Sequence, residues 1–150
     1  MTNNEIKALI AQLSEKNPRA GYAALQTLQA ESEQTNSVYP YMNELAELLT
    51  GDSAYFRIRA LILIAANAKW DADNKINEVI NEYLCHITDA KPIAARQCIQ
   101  QLPLIAEHKP ELREDILAVL TKADITGYAD SMRPLVYRDI REAISKIKNL

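Results

Sequence analysis

Hydrophobic positions recur at helical spacing along the whole chain. Ile6, Leu9, Ile10 and Leu13 fall on one face of a helix near the start. The clearest stripe is Ile76, Val79, Ile80, Tyr83, Leu84 and Ile87, with the 3.6-residue period of an amphipathic helix. A narrower one, Met132, Val136, Ile140, Ile144 and Ile147, closes the chain, and its reverse face carries Arg133, Arg138, Arg141, Glu142, Ser145 and Lys148. One stretch breaks the pattern. From Ile58 to Ala68 the chain is apolar almost all the way round, yet it holds Arg57 and Arg59 at its start. A helix apolar on every face belongs inside, with neighbours on both sides. Three glycines and six prolines in 150 residues leave little material for the tight turns of an all-β fold. The expected fold class is all-α.

The helical patterns themselves repeat. An offset of 37 residues aligns Arg59, Arg96 and Arg133, and pairs Asp52 with Asp89. Ala24, Leu61, Cys98 and Leu135 form one apolar column at that offset, and Leu25, Ile62, Ile99 and Val136 another. Several columns at one period mark a repeat architecture, here one domain over residues 1–150 with units of roughly 1–37, 38–74, 75–111 and 112–150. Each unit holds two helices joined by a polar turn such as "TGDS" or "TDAK". Asp52 and Asp89 are placed to accept hydrogen bonds from free amides at the next helix start, and Pro92 suits a first turn. Second helices should begin near Tyr55, Pro92 and Asp130. Asp71 is a capping residue for the helix after "KWDAD", and Pro110 opens the following one. Pro103 should kink or end the third unit's second helix. "AESEQTNS" reads as a polar loop closing the first unit. Asp139 stands where Ala65 and Leu102 stand earlier, so that face should no longer be buried, as in a solenoid's terminal cap.

A two-helix unit with Asp at the inner turn and Arg early in the second helix resembles the HEAT (armadillo-type) repeat family. The residues carrying the resemblance are "DSAYFRIRAL", "DAKPIAARQC" and "YADSMRPLV". The resemblance implies an α-α superhelix, or solenoid, of about four two-helix repeats, with second helices lining the concave surface. It also implies a structural ladder of Asp52, Arg59, Asp89, Arg96 and Arg133 running along the stack. A planar guanidinium can bond several acceptors at once, so it can be half-buried without being orphaned. That would account for the arginines at the head of the apolar helix.

Composition and charge narrow the function classes. The sequence is 48% hydrophobic and 25% charged with a formal net charge of −3, a globular composition. Segments 1–37, 38–74, 75–111 and 112–150 carry −1, −2, −1 and +1, so the basic footprint of a nucleic-acid binder is missing. No run is long enough to span a bilayer. The start lacks the basic and apolar regions of a signal peptide, which makes a cytoplasmic location the expectation. Two cysteines, Cys85 and Cys98, make neither a disulfide framework nor a zinc site, and read as buried small hydrophobes. His86 and His108 read as surface or groove histidines. No catalytic motif, cofactor or metal site is expected.

"KWDADNK", residues 69–75, is the most site-like stretch. Trp70, Asp71 and Asp73 could serve acid–base or metal chemistry, but a helix start needs the same residues. For binding, the residues expected to face outward from the second helices include Leu63, Ile64 and Asn67, then Gln97 and Gln101, then Arg138 and Arg141, grading from apolar through amide to basic. If Leu63 and Ile64 are exposed they form a protein-contact patch; in a tightly curled stack they simply pack. The function expected is a non-catalytic scaffold binding a protein or peptide on this concave face. Two alternatives stand beside it. One is a DNA-binding protein like the HEAT-like DNA alkylation-repair glycosylases, with Trp70, Asp71 and Asp73 as its candidates. The other is a self-associating structural subunit.

Overall fold

The computed structural model describes all 150 residues, and they form eight α-helices and no strand. The helices are α1 (Asn3–Gln12), α2 (Pro18–Gln34), α3 (Met42–Leu49), α4 (Ala54–Ala66), α5 (Lys75–Cys85), α6 (Pro92–His108), α7 (Arg113–Lys122) and α8 (Arg133–Lys148). Single 3-10 turns precede α3 and α7 and follow α4 and α5. The even-numbered helices make one layer, in which α4 lies between α2 and α6, and α6 between α4 and α8. Helices α1, α3 and α7 pack on α2, α4 and α8, while α5 leans on α3 and reaches α6 through the 3-10 turn His86–Thr88. A single apolar core of 35 buried residues draws on all eight helices.

Local chemistry sets the helix starts. Asn17 accepts the Arg19 amide and Thr2 the Glu5 amide, each satisfying an orphan donor of a first turn. Pro18, Pro92 and Pro134 stand in first turns, where a missing N–H costs nothing. Helix α4 is the all-round apolar helix: every residue from Arg59 to Ala66 is buried.

Three sequence expectations need correction. Of the two outcomes expected at Pro103, a helix end is not realised, since α6 runs on to His108. An interior proline costs about 3 kcal/mol, but Leu102 and Ile105 beside it are fully buried and contribute about 1.5–3 kcal/mol each. The "AESEQTNS" stretch is a loop only in its last three residues, Thr35–Ser37, because α2 continues through Gln34. Its last turn is fastened from outside: Trp70 Nε1 donates to the Ser32 carbonyl at 2.7 Å, Asn67 Nδ2 to Ser32 Oγ at 3.1 Å, and Lys69 to the Glu33 carbonyl. Asp139 is buried rather than exposed, since it receives Arg96 from the neighbouring helix.

Candidate functional site

The "KWDADNK" segment is built as a joint. Asp71 lies in the turn before α5 and accepts the Lys75 amide at 2.8 Å, the Ile76 amide at 3.1 Å and the Tyr39 hydroxyl at 2.7 Å. Lys109 Nζ lies 3.2 Å from the same carboxylate and donates to Asn74 Oδ1 at 2.6 Å. Asn74 takes a left-handed φ of 55°, which asparagine tolerates better than most residues. Burial alone would raise the Asp71 carboxyl, but the bonds from Tyr39, Ile76, Lys109 and Lys75 hold it below the ordinary carboxylate value. Burial first, and the bond to Asp71 second, push the Tyr39 hydroxyl up to about 12. With every lone-pair direction engaged, Asp71 has no capacity left for a substrate. Trp70 is half-buried with its N–H spent on Ser32, and Asp73 is exposed. The three residues share a loop but make no common site.

The ladder does not form as a ladder. Arg57, not Arg59, grips Asp89 in a two-pronged pair, Nε to Oδ2 at 2.9 Å and Nη2 to Oδ1 at 2.8 Å. Asp89 also accepts the Lys91 amide at 2.9 Å, and His86 Nδ1 lies 2.7 Å from its Oδ2. Burial opposes ionisation of Asp89, yet the bonds from Arg57, Lys91 and His86 keep its carboxyl below the ordinary value. Asp52 is exposed, and its only bond is through its carbonyl, to Arg57. The aligned arginines go three ways. Arg59 donates to the Leu13 carbonyl at 2.7 Å. Arg96 Nε donates to Asp139 Oδ2 at 2.6 Å. Arg133 bonds the Tyr128 carbonyl and Asp130.

Arg59 is 4% exposed with no carboxylate partner, the costliest of the three placements. Desolvation lowers its pKa from the ordinary guanidinium value. It is tolerated because the Leu13 carbonyl ends α1, the negative end of a helix dipole, and because the Tyr55 and Phe56 rings lie 5.8 Å from its Cζ.

Two further expectations change. His86 is buried, not a surface histidine. Its Nε2 has no hydrogen-bond partner, the nearest carboxylate oxygen, of Glu82, lying 3.5 Å away. Of the cysteines, Cys98 is buried as expected and burial pushes its thiol up, but Cys85 is exposed.

The outer face of the even-numbered layer is exposed at different residues from those expected. Leu63, Ile64 and Asn67 are fully buried. Arg59 and Asn67, four residues either side of Leu63 on one helical face, both reach the first hairpin. Arg59 lies against Gly21 and Asn67 bonds Ser32. That face of α4 is therefore turned to α2 rather than to solvent. Gln97 and Gln101 are half-buried on α6, while Arg138 and Arg141 are exposed on α8 as expected.

The sequence reading missed Tyr22, Tyr55 and Ile93, which are 59%, 61% and 64% exposed. With Leu104 and Tyr137 they give every even-numbered helix an exposed large hydrophobic side chain. The signal was present on α6, where Ile93, Gln97, Gln100 and Leu104 follow the i, i+4, i+7, i+11 pattern of one helix face, opposite the buried stripe. No family model, curated protein or solved structure matches the chain. The site must be argued from its own residues.

Elsewhere the surface has two grooves between odd-numbered helices. One of about 370 Å³ lies between α1 and α3, lined by Ile10, Tyr41 and Leu48 with Lys7, Glu44 and Glu47 on its edges. The other, also about 370 Å³, lies between α5 and α7 around Leu84, Ile87 and Val119. In the first the Ser14 hydroxyl donates to the Ala11 carbonyl rather than to Glu44 or Glu47, and in the second Asp124 accepts from Thr126 rather than from Thr88. No three of the His, Cys, Asp and Glu side chains are grouped as metal ligands. No helix is long and apolar enough to cross a membrane.

Proposed function

We propose that the chain is a HEAT-like stack of four two-helix repeats that holds a protein or peptide segment on the outer face of α2, α4, α6 and α8, without catalysing a reaction. The observation that carries this is the distribution of exposed hydrophobic side chains. Five of the eight large ones, Tyr22, Tyr55, Ile93, Leu104 and Tyr137, sit on these four helices. Large aromatic and aliphatic anchors dominate the energy of protein contacts. The amides of Gln97 and Gln101 stand among them, each with donors and an acceptor for an extended main chain, while the Gln100 amide donates to Asp139.

The DNA-reading alternative rests on Trp70, Asp71 and Asp73. The Trp70 N–H and the Asp71 carboxylate are both spent inside the fold, which weakens it.

Selection from a displayed random-peptide library tests the proposal. The protein should enrich peptides sharing apolar anchors, and an Ile93→Ser, Leu104→Ser variant of unchanged circular dichroism should fail to retain them. Equal retention by the variant, or no enrichment by the wild type, would end the reading.

A further inference from the structure

We propose that the bound segment is an acidic peptide whose carboxylates lie along α8, an inference that rests on the outer-face reading above. The exposed arc of α8 carries Tyr137, Arg138, Arg141, Ser145 and Lys148, which fall within about a third of a turn of one another at 3.6 residues per turn. They line two adjoining hollows of about 380 and 420 Å³ that share Arg141 and Ser145. Arg141 lies 5.8 Å over the Tyr137 ring, a stacked arrangement that holds the guanidinium in place while its edge stays free.

The local charges are not balanced. Arg133 is spent on Asp130, and Asp139 is spent on Arg96. Arg138, Arg141 and Lys148 have no ion-pair partner, and Glu142 at the rim of the arc is the one carboxylate beside them. Three unpaired cations on a single face of α8, the helix packed against the α6 that carries exposed Ile93 and Leu104, call for a ligand with negative charge and apolar groups together.

Spacing decides which negative charge. Arg138 and Lys148 are ten positions apart, about 15 Å at 1.5 Å per residue. One phosphate group cannot reach both, whereas an extended chain at about 3.3 Å per residue covers that span with four or five residues. A short run of Glu or Asp therefore matches the arc. Nucleic acid matches less well, because residues 1–37, 38–74 and 75–111 are each net negative and would repel a longer polyanion.

The test is fluorescence polarisation with a dye-labelled peptide of five glutamates followed by isoleucine and leucine. Three further probes accompany it: the same peptide with glutamine for glutamate, a peptide with a single phosphoserine, and a single-stranded oligonucleotide. The glutamate probe should bind, weakening with salt. The glutamine probe, and the glutamate probe on Arg138→Glu, Arg141→Glu, should each bind about tenfold more weakly, the scale expected for a few solvent-facing charges. If the charge reversal changes nothing while Ile93→Ser, Leu104→Ser abolishes binding, the acidic inference fails and the outer-face reading survives. If the glutamate probe does not bind, the acidic inference fails while the outer-face reading stands or falls on the displayed library; if it binds and neither variant matters, both readings fail. Tighter binding of the phosphoserine probe or the oligonucleotide would overturn the acidic-peptide assignment. So would a mass that rises with protein concentration and falls back in the charge-reversed variant, since the occupant would then be a second copy.

Discussion

Gly21 gives the sharpest test of how the first two hairpins are joined. It lies inside α2 with no left-handed φ, so helix propensity alone predicts that Gly21→Ala stabilises the protein by about 1 kcal/mol. The packing predicts the opposite. A Cβ on residue 21 would fall onto the Arg59 guanidinium carbon and both its terminal nitrogens. The guanidinium ends a flexible chain, but it has little freedom here, being 4% exposed and donating to the Leu13 carbonyl at 2.7 Å. Moving it sacrifices a hydrogen bond from a charged group, worth about 1.5–3 kcal/mol, and adds an overpacking cost of about 1–3 kcal/mol. Partial relaxation leaves a net loss of about 1–3 kcal/mol after the propensity gain. At about 2–4 °C per kcal/mol for a chain of this size, the melting temperature should fall by several degrees. Urea unfolding followed by circular dichroism measures the change, and Arg59→Met supplies the control. In that background the clash is gone, so Gly21→Ala should become stabilising. A double-mutant cycle should then return a coupling of about 2–4 kcal/mol, at the upper end for residues in contact. Stabilisation by Gly21→Ala in the wild type would refute the close approach.

Two further predictions concern the buried polar groups. Asp89→Asn should destabilise the protein by about 1–3 kcal/mol at neutral pH, less than a wholly buried pair because Arg57 keeps 11% of its side chain exposed. The Asp89 carboxyl is held below its ordinary value in the fold. Its contribution is thus complete above the unfolded value of about 3.9 and lost as pH falls toward the folded one; a stability gap between wild type and variant that stays constant from neutral pH to about pH 3 would contradict this. In an ultraviolet titration, Tyr39 and Tyr128 should ionise only near pH 12 and Tyr83 higher still. All three are raised first of all by burial. Three of the seven tyrosines should therefore stay protonated at about pH 11 unless the protein unfolds, and complete ionisation of the folded protein at that pH would exclude the burial.

Much of the fold was legible because stripes such as Ile76, Ile80, Tyr83 and Leu84 are local, and burial follows them directly. The end of α2 was not legible. Ser32 and Glu33 are polar, and what keeps their turn helical arrives from Asn67, Lys69 and Trp70, 35 to 38 residues away. No local window contains that information. The exposed face was half legible: Gln97, Gln101, Arg138 and Arg141 were placed by the repeat register, whereas Leu63 and Ile64 were misplaced by it. The register says where on its own helix a residue stands, but not how closely the neighbouring helix approaches.

The arginine column shows that limit most clearly, and the sequence contains the reason. Thirty-eight positions before Arg59 and before Arg96, the places equivalent to the bed of the Arg59 guanidinium are Gly21 and Ile58. The place equivalent to Asp139, one period earlier, is Leu102. Arg59 turns back toward α2 because glycine leaves room there and Leu102 offers no acceptor ahead. Arg96 has the branched Ile58 at the equivalent place in sequence and a carboxylate at Asp139 ahead, and it turns forward. The same residue in the same register thus closes one joint through a helix-end carbonyl and another through an ion pair. Gly21 and Asp139, not the arginines, determine which. Leu102→Asp should accordingly give Arg59 a competing partner and loosen its hold on α1. Loss of the buried Leu102 side chain will by itself raise exchange in α6, so the mark of a captured Arg59 is a rise in hydrogen exchange at the α1–α2 junction in Leu102→Asp that Leu102→Ala lacks.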